Sequence, residues 1–154
     1  RIFGIDDHTL ILYGLKVTFE HIKPELELIG YARSMKQAIP DILRLQPRLI
    51  LLDLFLEQGD PVDNFKRLQV TFPEIPVVIF TYEDSIFWMR RMYQEGARGY
   101  ITKTYDDDVI GNILVSVGNG GTVFPEELTK WNQYHSKYAD SKIFNQLELD
   151  VALT

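Results

Sequence analysis

The chain contains no cysteine. That excludes a disulfide framework, thiolate zinc sites and cysteine nucleophiles. No apolar run approaches the roughly 18 residues that read as a membrane-spanning helix. The start shows no signal-peptide pattern, so a cytoplasmic address with no membrane partner is the expectation. Positive charge is scarce, with 16 Lys and Arg against 22 Asp and Glu, a formal net charge of −6. Nucleic-acid binders usually carry a basic footprint, and none is visible. The three histidines, His8, His21 and His135, lack any metal-binding spacing. There is no G-x-S-x-G elbow of a serine hydrolase. The run "GNGG" near residue 120 lacks the Lys of a phosphate loop and does not open a helix after a strand. No internal repeat or low-complexity tract occurs.

What is present fits one domain with a short extension, at 154 residues. A chain of this length buries roughly 68–70% of its unfolded surface. The composition, 45% hydrophobic and 25% charged, is that of an ordinary globular protein. The first residue is Arg1, so the expectation is a chain trimmed from a longer one or one with disordered ends left out.

The apolar pattern alternates between two kinds of segment. "RIFGIDD" is a short strand ending on two acids, and Asp7, His8 or Thr9 can cap the helix that follows. In that helix Leu12, Leu15, Phe19 and Ile22 recur at helical spacing. Residues 26–32 read as a second strand and 34–46 as a helix opened by Ser34, with Pro40 expected to kink it. A third strand spans 48–53, a helix 62–72 and a fourth strand 75–81. A helix over 85–95 stops at Gly96, a fifth strand covers 98–102, and a helix over 106–121 has acids in its first turn and glycines at its end. The strands are continuous apolar runs, which implies a parallel sheet with helices on both faces, an α/β fold. In such sheets the ligand site lies beyond the carboxyl ends of the strands.

Those ends carry chemistry. The first strand ends at Asp6 and Asp7, the third at Asp53, the fourth at Thr81, and Lys103 follows the fifth. Each residue alone reads more simply as a cap, a β-former or a solvated charge. Together they place three carboxylates, a hydroxyl and an ammonium on one rim. Two carboxylates about 5 Å apart repel by roughly 3 kcal/mol at an effective dielectric near 20. A divalent, oxygen-seeking cation relieves this, and Mg2+ suits best. It would hold a phosphoryl oxygen beside Asp53, whose carboxylate can attack phosphorus. Lys103 and Thr81 would bind the remaining oxygens.

At this point the sequence resembles a known family. The acidic pair in "IDDHTLILYGL", Asp53 in "LILLDL", Thr81 in "VVIFTYED" and Lys103 in "EGARGYITKT" are similar to the receiver domain of two-component response regulators. "DDDVIGNILVSVGNGGTVFPEEL" resembles the last helix and exit of the NarL/FixJ (LuxR-type) subfamily. The resemblance covers about residues 2 to 128. It implies a flavodoxin-like (βα)5 doubly wound parallel sheet in a three-layer sandwich, with a C-terminal helical extension. It implies Asp53 as phosphoacceptor, and Asp6, Asp7, Asp53 and the backbone carbonyl of Phe55 as Mg2+ ligands. Thr81 matches the switch hydroxyl, Lys103 the phosphate-binding lysine, and Tyr100 the aromatic that changes rotamer; the plainer reading of Tyr100 is a half-buried edge-strand residue. The implied partners are a sensor histidine kinase and a second copy of the chain on activation. The implied chemistry is self-phosphotransfer and autodephosphorylation, not turnover of a separate substrate.

The match has departures. The family usually has Pro four residues after the acceptor and Gly eight after; Glu57 and Pro61 stand there, so an unusual loop over 54–61 is expected. Thr104 follows the lysine where Pro is frequent, and a cis bond there would cost about 3–4 kcal/mol. Phe55 and Tyr82 would flank the site with bulk. "IFWMRRMY" is apolar enough to be a partner surface, although Ile86, Met89, Tyr93 and Trp88 also fit plain core packing. The domains implied are a receiver over 1–122, a connector over 123–143 and, over 144–154, the truncated start of a LuxR-type helix-turn-helix domain. In the connector Leu128, Trp131, Tyr134 and Tyr138 form one stripe. DNA contacts in such proteins come from a recognition helix, which this chain stops short of. A haloacid-dehalogenase-type phosphatase needs a second Asp where Phe55 stands. The serious alternative is a receiver-like interaction module that works without phosphorylation.

Overall fold

The computed structural model describes residues 1–137. Five strands, β1 (Ile2–Ile5), β2 (Leu28–Ala32), β3 (Leu49–Leu52), β4 (Val77–Thr81) and β5 (Gly99–Thr102), form one parallel sheet in the order β2-β1-β3-β4-β5. Between them run α1 (Thr9–Ile22), α2 (Met35–Leu45), α3 (Pro61–Thr71) and α4 (Ile86–Glu95), followed by α5 (Asp107–Gly118) and α6 (Glu126–Lys137). This is the α/β, doubly wound, flavodoxin-like arrangement expected. Among the described residues no helix is long and apolar enough to cross a membrane.

The continuous apolar strands serve two cores at once. Successive side chains point to opposite faces. Phe3, Ile5, Ile50, Leu52, Ile79 and Tyr100 face one layer, with Ala38 and Ile42 of α2, Phe65 and Leu68 of α3, and Met89 and Met92 of α4. Ile2, Leu49, Leu51, Val78, Phe80 and Ile101 face the other, with Leu12, Leu15 and Phe19 of α1 and Ile110, Leu114 and Val117 of α5. Each such side chain contributes about 1.5–3 kcal/mol when fully buried. Ile22 differs from expectation: it is 45% exposed, and Leu26, past the end of α1, joins that core instead.

Local signals account for most helix ends. Ser34 Oγ accepts from Gln37 N at 3.2 Å and opens α2. Pro40 lies within α2 on its exposed side, and the helix continues through it, with solvent able to satisfy the lost bond. Gly96 closes α4 with φ 107°, a conformation glycine adopts freely. α1 has no side-chain cap; its cap residue is His8. In the divergent loop, Asp60 caps α3 through Val62 N at 2.9 Å and Asp63 N at 3.1 Å, and Pro61 takes the first helical turn, where a missing N–H costs nothing. The left-handed residue of this loop is Gly59, φ 92°.

β5 would be an open edge, but the chain returns to cover it. Tyr100 N donates to Val123 O at 3.1 Å, and Val123 N donates to Arg98 O at 3.0 Å. Beyond this bridge α6 lies along α4, with Leu128 buried and the Arg90 guanidinium 4.7 Å from the Trp131 ring centre. Of the expected connector stripe, Leu128 is buried, Trp131 half-buried and Tyr134 exposed. Tyr138 and the stretch 144–154, expected to begin a helix-turn-helix, lie outside the described residues.

Replacing Asp60 with Ala removes the α3 cap and is expected to cost about 1 kcal/mol. Chemical denaturation of wild type and Asp60→Ala checks this; equal midpoints would show that Pro61 alone sets the helix start.

Candidate functional site

The strand order reverses direction between β1 and β3, the place where sheets of this kind hold ligands beyond the carboxyl ends. Backbone bonds beyond the strands hold this rim. Asp6 N donates to Ala32 O and Asp53 N to Ile5 O, both at 3.0 Å, and Lys103 N donates to Thr81 O at 2.8 Å. The residues singled out in the sequence therefore leave the sheet in fixed register.

Three of them meet directly. Lys103 Nζ lies 2.6 Å from Asp6 Oδ2 and 3.2 Å from Asp53 Oδ2. The lysine side chain is 1% exposed and Asp6 also 1%. Asp53 is buried too. Buried charges persist only when paired, since desolvation costs several kcal/mol per ion. The ammonium also faces the rings of Tyr82 at 5.2 Å and Phe80 at 5.7 Å, a favourable approach for a cation. Asp6 Oδ2 meets Lys103 by charge but accepts no well-directed hydrogen bond. Its Oδ1 accepts from His8 N at 2.8 Å. Burial pushes the Asp6 carboxyl above its usual range, and the nearby Asp53 charge adds to this. Lys103 and the His8 N–H pull the other way without cancelling it.

Asp7 stands beside this group, half-buried, and does something different. Its Oδ2 accepts from Glu57 N at 2.7 Å. It thereby draws the 54–61 loop onto the acidic pair, and Glu57 serves through the backbone N–H that a proline would lack. Phe55, in the same loop, is 48% exposed and packs edge-on against Trp88 of α4, ring centres 5.5 Å apart. Thr81 is buried, and its Oγ1 accepts from Glu83 N at 3.3 Å. Tyr100 is fully buried rather than half-buried, because Val123 and Phe124 cover the β5 edge. Its hydroxyl donates to Glu83 O at 2.6 Å. Burial first, then the charges of Glu83, Asp84 and Asp53, push its pKa above the usual phenol range, so it stays a neutral donor. The peptide before Thr104 is trans.

The donor set fits a hard divalent cation: buried carboxylate oxygens at one rim, one of them short of a hydrogen bond. Asp6, His8 and Asp53 each offer a ligand atom, all within 4.8 Å of one another. His8 has no metal-binding spacing to the other histidines in the sequence. The signal available was its place directly after the acidic pair, as the cap residue of α1. Of the "IFWMRRMY" stretch, Met89 points into the core, Ile86 and Trp88 pack partly against it, and Tyr93 is 51% exposed.

A raised Asp6 pKa makes a signed prediction. The folded state holds this proton more tightly than the unfolded one. The favourable contribution is therefore complete below the ordinary carboxylate value and is lost as pH rises through the raised one. Asp6→Asn keeps the neutral shape. Without divalent ions it is expected to unfold at a higher temperature than wild type at pH 7.5, with the gap closing toward pH 4. A lower midpoint for the variant at pH 7.5 would mean that pairing with Lys103 outweighs burial.

Comparison with known proteins identifies the family and the fold. The family model for the response regulator receiver domain matches residues 2–114. The transcriptional regulatory protein LnrK of Bacillus subtilis is 29% identical over 130 residues, covering 84% of this chain and 58% of LnrK. The response regulator protein VraR of Staphylococcus aureus is 28% identical over 157 residues, covering 99% of this chain and 74% of VraR. The chain thus spans little more than half the length of one of these relatives. A LuxR-family two-component response regulator from Aurantimonas sp. superposes with a TM-score of 0.76 at 19% identity, over 84% of this chain and 92% of that one. The fold, the rim and the family match together place this chain in the response regulator receiver domain family.

Proposed function

We propose that Asp53 accepts a phosphoryl group from the phosphohistidine of a sensor kinase. One observation carries this reading: a buried ammonium held between two buried carboxylates at the strand ends, 2.6 and 3.2 Å away. A carboxylate oxygen of Asp53 attacks phosphorus as the bond from phosphorus to the donor nitrogen breaks. Lys103 already touches that carboxylate and follows the charge onto the phosphoryl oxygens. Thr81 offers its hydroxyl after leaving Glu83 N. Asp6, Asp53 and His8 or Asp7, with the Phe55 carbonyl, are the groups that would hold Mg2+. When bound, this ion neutralises the charge that builds on the phosphoryl oxygens. Asp7 would have to leave Glu57 N to take part.

The phosphoryl group adds about 1.5 to 2 negative charges and three acceptor oxygens, by analogy with phosphorylated hydroxyls. We assign residues 1–122 to the receiver, 123–143 to a connector and 144–154 to the beginning of a DNA-binding domain. The name of LnrK as a transcriptional regulator supports that assignment. The output is control of transcription in the cytoplasm, with DNA contacted by a domain beyond this chain and a second copy of the chain recruited on activation.

Acetyl phosphate or beryllofluoride with Mg2+ tests the acceptor. With acetyl phosphate wild type should gain the phosphoryl mass, with beryllofluoride it should bind the beryllium adduct, and Asp53→Asn should do neither. No modification by any donor, with normal dimerisation, would favour the phosphorylation-independent module instead. Mg2+ at ten times its Kd should stabilise wild type by about 1.4 kcal/mol, and Asp53→Asn by much less.

Two exposed aromatics bear on lifetime. Phe55 packs against Trp88, and Tyr82 stands 5.2 Å from the Lys103 ammonium. Both restrict the approach of water to the acyl phosphate. The double variant Phe55→Asn, Tyr82→Ala should lose its phosphoryl group several-fold faster. An unchanged rate of release would remove this role.

A further inference from the structure

Asp6 divides its two oxygens between different neighbours. Oδ2 faces the Lys103 ammonium at 2.6 Å without a well-directed hydrogen bond, and the side chain is 1% exposed. Oδ1 accepts from His8 N at 2.8 Å and stands 3.5 Å from Nδ1 of the same residue's ring. The His8 backbone is fixed at both ends, since its carbonyl accepts from Ile11 N at 3.0 Å. Its side chain makes no cap bond to α1 and is 68% exposed. The helix start therefore does not need the imidazole.

Among the described residues, the ligand atoms that converge within 4.8 Å come from Asp6, His8 and Asp53. Asp7 is turned to the loop, where its Oδ2 accepts from Glu57 N at 2.7 Å. The third acid of the rim is thus engaged elsewhere, and a ring nitrogen takes its place beside the other two. Two ligands about 2.0–2.1 Å from one small divalent ion lie roughly 3–4 Å apart. The 3.5 Å between His8 and Asp6 falls in that range. An imidazole with two carboxylates is a poor set for Mg2+, which prefers oxygen and keeps its waters. Imidazole suits the first-row transition ions.

We propose that His8 gives the rim a second way of holding a cation. Asp6, Asp53 and the His8 imidazole bind a transition ion of the Zn2+ type while Asp7 stays on Glu57 N. Mg2+ is held through Asp7 instead, and the bond to Glu57 is released. The ion then decides whether the 54–61 loop stays tied to the acidic pair. The inference rests on the reading of this rim as a cation site, made above for the phosphoryl acceptor, and adds the side chain that selects the ion.

Calorimetric titration of the untagged chain gives the Kd of Zn2+ and of Mg2+ for wild type, His8→Ala and Asp7→Asn. The ratio of the Mg2+ constant to the Zn2+ constant is compared, because a general loss of negative charge weakens both ions and cancels. His8→Ala keeps the backbone bonds and should lower this ratio by about ten-fold or more. Asp7→Asn keeps an acceptor for Glu57 N and should raise it. Imidazole NMR of wild type needs no variant: one equivalent of Zn2+ should shift the His8 ring nitrogens and leave those of His21 in place. An unchanged ratio in His8→Ala, or an unchanged or lowered one in Asp7→Asn, overturns the inference. Equal shifts at His8 and His21 mean an adventitious ion only and overturn it too. Labelling of Asp53 by acetyl phosphate with Mg2+ is read on the same preparation. Label without a His8 effect sinks this inference alone, and a His8 effect without label sinks the acceptor reading alone. No divalent ion bound by wild type removes the cation site and this inference with it.

Discussion

The Lys103 ammonium, buried between Asp6 and Asp53, is the interaction on which the rest of the structure turns. Without it two buried carboxylates would face each other in a low-dielectric crevice. With it the group is tolerable but unbalanced, because Asp7 adds a third acid at the same rim. The Asp6 carboxyl, held above its usual range first by burial and then by the nearby Asp53 charge, is the visible sign of that imbalance. A site left short of positive charge favours a divalent cation and a ligand that brings one. The buried charges at these atoms therefore cost stability that their pairing only partly returns.

The sheet makes this arrangement possible. Five parallel strands with apolar faces on both sides leave polar groups nowhere to go but the strand ends. Backbone bonds just past β1, β3 and β5 then hold Asp6, Asp53 and Lys103 in register. The helices contribute in a second way. His8 begins α1 beside Asp6, and Ser85 begins α4 beside Glu83. The rim is therefore bonded to the starts of two helices, above the packed cores.

The loop after Asp53 shows how a departure from a family pattern is absorbed. Pro61 occupies the first turn of α3, Asp60 caps it, and Gly59 supplies the left-handed residue. Glu57 offers its N–H to Asp7. The unusual residues produce an ordered connection, with its own link to the acidic pair. The covering of β5 by Val123 and Phe124 is a comparable case. It turns an edge-strand tyrosine into a fully buried one.

The order of strands and helices, the two-faced burial of the strands and the acids at their ends were legible in the sequence. Period-two and period-3.6 patterns are local, and a charge after an apolar run is visible without coordinates. What tertiary structure alone decided was who meets whom. Asp6 rather than Asp7 pairs with Lys103, because backbone register sets which of two adjacent side chains points into the crevice. Asp7 reaches a loop fifty residues away. His8 joins the acids although no histidine spacing announces it. Ile22 lies outside a core that its spacing suggested, since the helix ends where the sheet does. Tyr100 is sealed by residues more than twenty positions later. Such contacts depend on distance in space, and a one-dimensional pattern holds no record of it.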